Sequence, residues 1–327
     1  MMRLSDTEIH QLTRRRISDP DAIASAWATR GRRKGPDSRL LIVAADHPAR
    51  GALGVRDNND AMASRPELLG RLVTALANPR VDGVLATADV LEDLLLLGAL
   101  DDKLVIGSMN RGGLQGAGFE FDDRFTGYTA AQIDDFGLDG GKTLARICLQ
   151  DSGTVATLQA TARAVDELAT RRKIAMIEPF WSEFGTDGRA RNILTADATI
   201  RSMHVASGLG ATSAYTWLKV PIVPEMHRVL EATTLPTLLL GGDPTTDSDE
   251  TYASWEDALS APSAAGLVIG RALLFPPDDD VAAAVDVAAR LVHGTEPSSS
   301  GRVTDEWPGY TPATGSQPGH SAKGTES

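Results

Sequence analysis

The sequence predicts an α/β protein folded as a (β/α)₈ barrel, and three observations carry the prediction. Eight short apolar runs recur over roughly 230 residues with helix-like segments between them, the alternation that builds a parallel sheet. Polar residues gather at the C-terminal ends of several different runs, where a barrel places its chemistry. No Gly-x-Gly-x-x-Gly follows the first run, which argues against a doubly wound dinucleotide-binding sheet, the runner-up.

Residues 1 to 36 read as an N-terminal helical extension. Ser5 and Glu8 form a capping box, and Asp19-Pro20 opens a second helix through Ile23, Ala26 and Trp27. The basic stretch Arg30 to Lys34 reads as a solvated helix end. The barrel is expected over residues 37–294. Its strands are expected at Leu40–Ala45, Gly83–Ala86, Leu104–Gly107, Gly137–Lys142, Ile174–Glu178, Tyr215–Val220, Thr237–Leu240 and Gly266–Gly270. Amphipathic helices such as Gly153–Thr170 and Ala190–Gly208 space them. Residues 295–327, rich in Gly, Pro, Ser and Thr, read as a disordered tail.

Composition narrows the function. A formal net charge of -12 over 327 residues leaves no bulk basic footprint for nucleic acid or an anionic membrane. An anionic substrate would need locally placed cations and backbone amides. Cys148 is the only cysteine, so no intrachain disulfide forms, which suits a reducing compartment. It sits in an apolar run and reads as core packing. No apolar run approaches the ~20 residues of a membrane span, and no apolar signal core opens the chain, so the expected location is the cytoplasm.

The strand ends hold the candidate chemistry. Thr216-Trp217-Leu218-Lys219-Val220-Pro221 places a lysine inside a strand-like run. If Lys219 faces the barrel interior, burial favours the free amine that attacks a carbonyl. If it lies at the strand end, its stem packs and its head reaches water. Asp46 reads equally as a turn cap, Glu178 as a rim pairing residue, and Gly241-Gly242 as a tight turn. Their joint placement at one end of one barrel is what favours function: Lys142 and Lys219 would meet Asp46 and Glu178 there. Gly241, Gly242, Gly270 and Arg271 fall after the seventh and eighth strands, where barrels commonly bind phosphate.

The segments Ala45-Asp46-His47, Asp139-Gly140-Gly141-Lys142, Ile177-Glu178-Pro179, Leu218-Lys219-Val220-Pro221, Leu240-Gly241-Gly242-Asp243 and Val268-Ile269-Gly270-Arg271-Ala272 span most of residues 40–275. In order and spacing the chain resembles the class I (Schiff-base) aldolases of the bacterial and archaeal fructose-bisphosphate, tagatose-bisphosphate and sulfofructose-phosphate type. Deoxyribose-phosphate aldolases are more distant relatives. The resemblance implies that Lys219 forms the imine and that Lys142 holds charge near the reacting hydroxyls. It implies that Glu178 shuttles protons and that Asp46 orients substrate and imine. Gly242, Gly270 and Arg271 would hold phosphate. Asp243-Pro244 departs from the usual small residue after the paired glycines, and Asn110-Arg111-Gly112-Gly113 has no assigned counterpart. Asn110 and Arg111 are expected to bind substrate, Arg111 through a substrate carboxylate or a second phosphate, with a surface pair as the equal alternative for Arg111.

The implied reaction is cleavage of a phosphorylated keto-sugar to dihydroxyacetone phosphate and an aldehyde, with neither metal nor organic cofactor. A keto-deoxy sugar acid phosphate, 5-dehydro-2-deoxygluconate 6-phosphate, is the leading specific substrate. The implied partner is a small-molecule sugar phosphate, and the resemblance alone implies a homo-oligomer. A metal-dependent aldolase would need converging imidazoles, but His47, His204 and His227 are scattered. The remaining alternatives are an isomerase-type barrel and a catalytically silent phosphosugar-binding barrel.

Overall fold

The computed structural model describes residues 3–33, 39–110, 113–241 and 248–294. The tail expected to be disordered, residues 295–327, lies outside them, as do Arg111 and Gly242.

Among the described residues nine strands form: β1 Leu40–Ala44, β2 Gly83–Ala86, β3 Leu104–Ser108, β4 Gly140–Ile147, β5 Ile174–Phe184, β6 Ala190–Asn192, β7 Thr216–Pro221, β8 Thr237–Leu240 and β9 Ala264–Ile269. Eight are parallel and run β1-β2-β3-β4-β5-β7-β8-β9, and the β9–β1 pairing closes the ring. This is the expected (β/α)₈ TIM barrel. Alternation sorts the side chains. Leu40, Ile42, Leu85, Ile106, Met176, Leu238 and Val268 fill the barrel interior. Leu41, Val43, Val84 and Val105 face outward into the helix layer.

All eight barrel strands lie where the apolar runs placed them, but three details differ. β4 begins at Gly140 and continues to Ile147, so Lys142 is its third residue and not its end. Gly140 and Gly141, inside the strand as expected, mark a close approach to their neighbours: a Cβ on Gly140 would lie 2.5 Å from the Ile174 carbonyl oxygen, and one on Gly141 would collide with Met109 Sδ. β5 runs on past Glu178 to Phe184 and pairs antiparallel with β6. The expected helix Ala190–Gly208 is therefore the strand Ala190–Asn192 followed by a helix Ala196–Ser207, whose start is set by Thr195 capping Ala198 N at 3.3 Å.

The third difference is at the barrel bottom. Arg30 is buried and not solvated: its guanidinium donates to the carbonyls of Leu100, Lys103 and Gly137 at 3.2, 2.9 and 3.1 Å. Leu100 and Lys103 precede β3, and Gly137 precedes β4. The two N-terminal helices, Asp6–Ser18 with its Ser5–Glu8 capping box and Asp21–Thr29, pack on the same body through Leu4, Leu12 and Trp27.

Candidate active site

Alternation also decides where Lys219 points. Trp217, two residues earlier on β7, packs with the interior cluster, so Lys219 shares its face and enters the barrel. Glu178 follows Met176 by two on β5, and Asp46 follows Ala44 by two beyond β1, so both share interior parity. Lys142 reaches them from lower on β4 through its four-carbon stem.

The four meet. Lys219 Nζ donates to Glu178 Oε1 at 2.5 Å. Lys142 Nζ contacts Glu178 Oε2 and donates to Asp46 Oδ2 at 3.2 Å. Asp46 Oδ2 also accepts from Ser108 Oγ at 3.2 Å. Relative exposures are 0% for Lys142 and Asp46, 2% for Lys219 and 7% for Glu178. Such burial is tolerable because two ammoniums offset two carboxylates, each with a hydrogen-bonding partner. Glu178 bridges both lysines, so a proton can leave one ammonium for its carboxylate while the other keeps the cluster balanced.

A cavity of about 570 Å³ opens over Lys219 and Glu178. Gly241, Gly270 and Arg271, three of the residues read as a phosphate site, line it. Gly241 has φ +146°, a backbone that favours glycine. Lys142 and Asp46 are not among the lining residues and form the layer beneath. Arg111 and Gly242 lie outside the described residues.

Asn110 plays a different part from the substrate-binding one expected. Its Nδ2 donates to the carbonyls of Asp123 and Leu144 at 3.0 and 2.7 Å, and its Oδ1 accepts from Leu144 N at 2.6 Å. The amide thus clamps the segment after β3 onto β4. Arg146 reinforces that clamp with a bidentate pair to Asp123 at 2.9 and 2.6 Å. Burial raises the Asp123 carboxyl above its usual range, while Arg146 pulls it back.

Two titratable lining residues, Arg56 and His47, have no substrate role in the sequence-based expectations. Arg56 comes from the long segment after β1 with φ +52°, and nothing in its sequence context marks it. Arg271 lies beside that segment, donating to the Gly54 carbonyl at 3.3 Å. His47 enters the sequence-based expectations as a metal-ligand candidate alone, although its place directly after Asp46 is a usable signal. Its ring packs on Gly270, where an added Cβ would lie 2.8 Å from His47 Cε1 and 2.6 Å from the Ala44 carbonyl oxygen. Burial first, then Arg271 and Lys219, push the imidazole pKa down to about 3, so His47 is neutral at pH 7.

The model of one family, described as Cgl0159-like, matches residues 38–289 of the chain. The chain belongs to the Cgl0159-like family. Cgl0159 from Corynebacterium glutamicum is 54% identical with a TM-score of 0.86, over 90% of this chain and 99% of that one. An archaeal fructose 1,6-bisphosphate aldolase superposes with TM-score 0.60 at 16% identity, covering 83% of this chain and 99% of that one. A Schiff-base-forming fructose-1,6-bisphosphate aldolase gives TM-score 0.59 at 17% identity, covering 83% and 100%. At such identities the likeness is one of fold, and this Cgl0159-like chain shares their TIM-barrel fold. No curated protein matches it. Among the described residues of this family member, no group of three or more His, Cys, Asp or Glu is placed to hold a metal ion. No described helix is long and apolar enough to cross a membrane.

Proposed function

We propose that the protein is a class I aldolase that cleaves a phosphorylated keto-sugar through an imine on Lys219. The observation that carries this reading is Glu178 held between Lys219 and Lys142 at the floor of a cavity. Binding a sugar phosphate needs no paired buried amines, whereas imine chemistry needs a neutral amine, a proton shuttle and a second cation.

The steps follow from those groups. Lys219, its proton passed to Glu178, attacks the ketone carbon to give a carbinolamine. Glu178 returns a proton to the carbinolamine oxygen, water leaves, and an iminium remains. A base takes the proton of the β-hydroxyl, the bond between the α and β carbons breaks, and its electron pair flows into the iminium. The aldehyde departs, the enamine is protonated at the α carbon, and hydrolysis frees dihydroxyacetone phosphate and the lysine. Lys142, from the layer beneath the cavity, is assigned the stabilisation of negative charge near the reacting hydroxyls, with Asp46 fixing its position. The phosphate is assigned to Gly241, Gly270, Arg271 and Arg56. 5-Dehydro-2-deoxygluconate 6-phosphate belongs to this substrate class, since the same cleavage gives dihydroxyacetone phosphate and malonate semialdehyde.

Incubation with dihydroxyacetone phosphate, borohydride reduction and peptide mass spectrometry test the reading. The expected result is a reduced adduct on Lys219 that Lys219→Met abolishes. Binding of the ketone with no adduct on any lysine would favour a silent or isomerase-type barrel.

A further inference from the structure

The β5–β6 hairpin forms part of the cavity wall that the eight-stranded barrel itself does not supply. Phe180 of β5, Asn192 of β6 and Leu194 just beyond it line the same cavity as Lys219. We infer that Asn192 is a specificity-determining residue whose side-chain N–H groups bind an oxygen on the aldehyde half of the substrate. The inference deepens the aldolase reading and rests on it.

Strand parity places the residue. Glu178, Phe180 and Ser182 share one face of β5, the face turned to the barrel axis. Ser182 lies directly opposite Asn192 in the antiparallel register, and directly opposed residues share a face. Asn192 therefore extends the face of β5 that carries Glu178 upward over the mouth.

Hydrogen bonding then fixes which end of the amide is presented. The buried Ser182 Oγ donates to Asn192 Oδ1 at 2.9 Å. With its oxygen so engaged, Asn192 offers the cavity its Nδ2 donors. The hairpin is also held in place: Ile193 N bonds the Trp181 carbonyl at 2.8 Å, and the Phe184 ring packs edge-on against Phe121 at 4.8 Å. A donor on an anchored hairpin is preorganised for recognition.

Topology says which half of the substrate it meets. β1 lies directly across the ring from β5, with β9 beside β1. Gly270, Arg271 and Arg56 follow those two strands, and β7 with Lys219 neighbours β5. An imine carbon on Lys219 has two carbon substituents. When the phosphorylated one points to Arg271 and Arg56, the other points to Phe180 and Asn192. Asn192 is thus suited to a hydroxyl or carboxylate oxygen on the departing aldehyde.

The test runs the reaction in the condensation direction on the full chain, with dihydroxyacetone phosphate and either glycolaldehyde or propionaldehyde, which match in size but not in acceptors. Asn192→Ala is expected to lower the glycolaldehyde-to-propionaldehyde ratio of kcat/KM about tenfold. Ser182→Ala, which releases the amide from its orientation, should lower the same ratio by a smaller factor. An unchanged ratio in Asn192→Ala, or an equal loss with both aldehydes, overturns the assignment, the latter marking a merely structural role. Loss of the dihydroxyacetone phosphate adduct on Lys219 in Asn192→Ala alone also overturns it, because the residue would then act on the other half. Absence of that adduct in the wild-type protein would instead remove the aldolase reading, and this inference with it.

Discussion

His47 shows how a single side chain links the site to stability. The residue is half-buried with the ring Nδ1 fully enclosed, beside three cations, Arg271, Lys219 and Lys142, with Glu178 pulling the other way. Its pKa is about 3 in the folded protein, against an ordinary value of 6.5. Between those values the unfolded chain binds a proton that the folded chain does not. The contribution is therefore harmless above pH 6.5 and costs stability as pH falls toward 3. With allowance for solvent at the cavity mouth, wild type should lose about 1–2 kcal/mol more than His47→Gln between pH ~7 and ~5. Urea unfolding of both proteins at the two pH values measures this, and equal losses would show that His47 is protonated normally in the fold. The position was legible in the sequence as a strand-end residue. Its neutrality was not, because that depends on cations from β4, β7 and the turn after β9.

At the scale of elements, local signals were read well and composite ones were not. The helix Gly153–Thr170 and the Ser5–Glu8 capping box appear as expected, since each is set by contiguous residues. The β5–β6 hairpin was missed because its three-residue strand Ala190–Asn192 has no periodicity of its own and forms only by pairing with Ser182–Phe184. The clamp made by Asn110 is illegible in sequence for the same reason, as its partners Asp123 and Leu144 arrive from other segments. Removing its amide leaves two carbonyls and the Leu144 N–H buried without it. Asn110→Ala should therefore lower unfolding free energy by about 2–4 kcal/mol, while the folded protein still forms the adduct on Lys219. Unchanged stability with a lost adduct would return Asn110 to substrate binding.

The whole molecule divides its buried charge between two ends with different tasks. The upper cluster of Lys142, Lys219, Asp46 and Glu178 is legible because four strand-like runs carry it in barrel order. At the bottom, Arg30 was read as solvated because the carbonyls it joins lie 70 to 107 residues away. That guanidinium spans the entries to β3 and β4 and sits 5.8 Å from the Trp27 ring, tying the N-terminal helices to the barrel. Burial holds its pKa below the usual arginine value while Asp139 opposes the shift, yet it stays a cation with several donors. Arg30→Ala would remove the donor to the Lys103 and Gly137 carbonyls and leave Leu100 O only its bond from Lys103 N, and should cost about 3 kcal/mol in urea unfolding. Arg30→Lys should recover less than half of that loss, because a single ammonium cannot reach three carbonyls held in a guanidinium's fork geometry. The adduct on Lys219 should persist in both variants at temperatures where they are folded, since in a barrel the bottom face serves stability and the top face chemistry. A fully stable Arg30→Ala protein with a lost adduct would mean that the two ends are coupled through the barrel interior, contrary to that division.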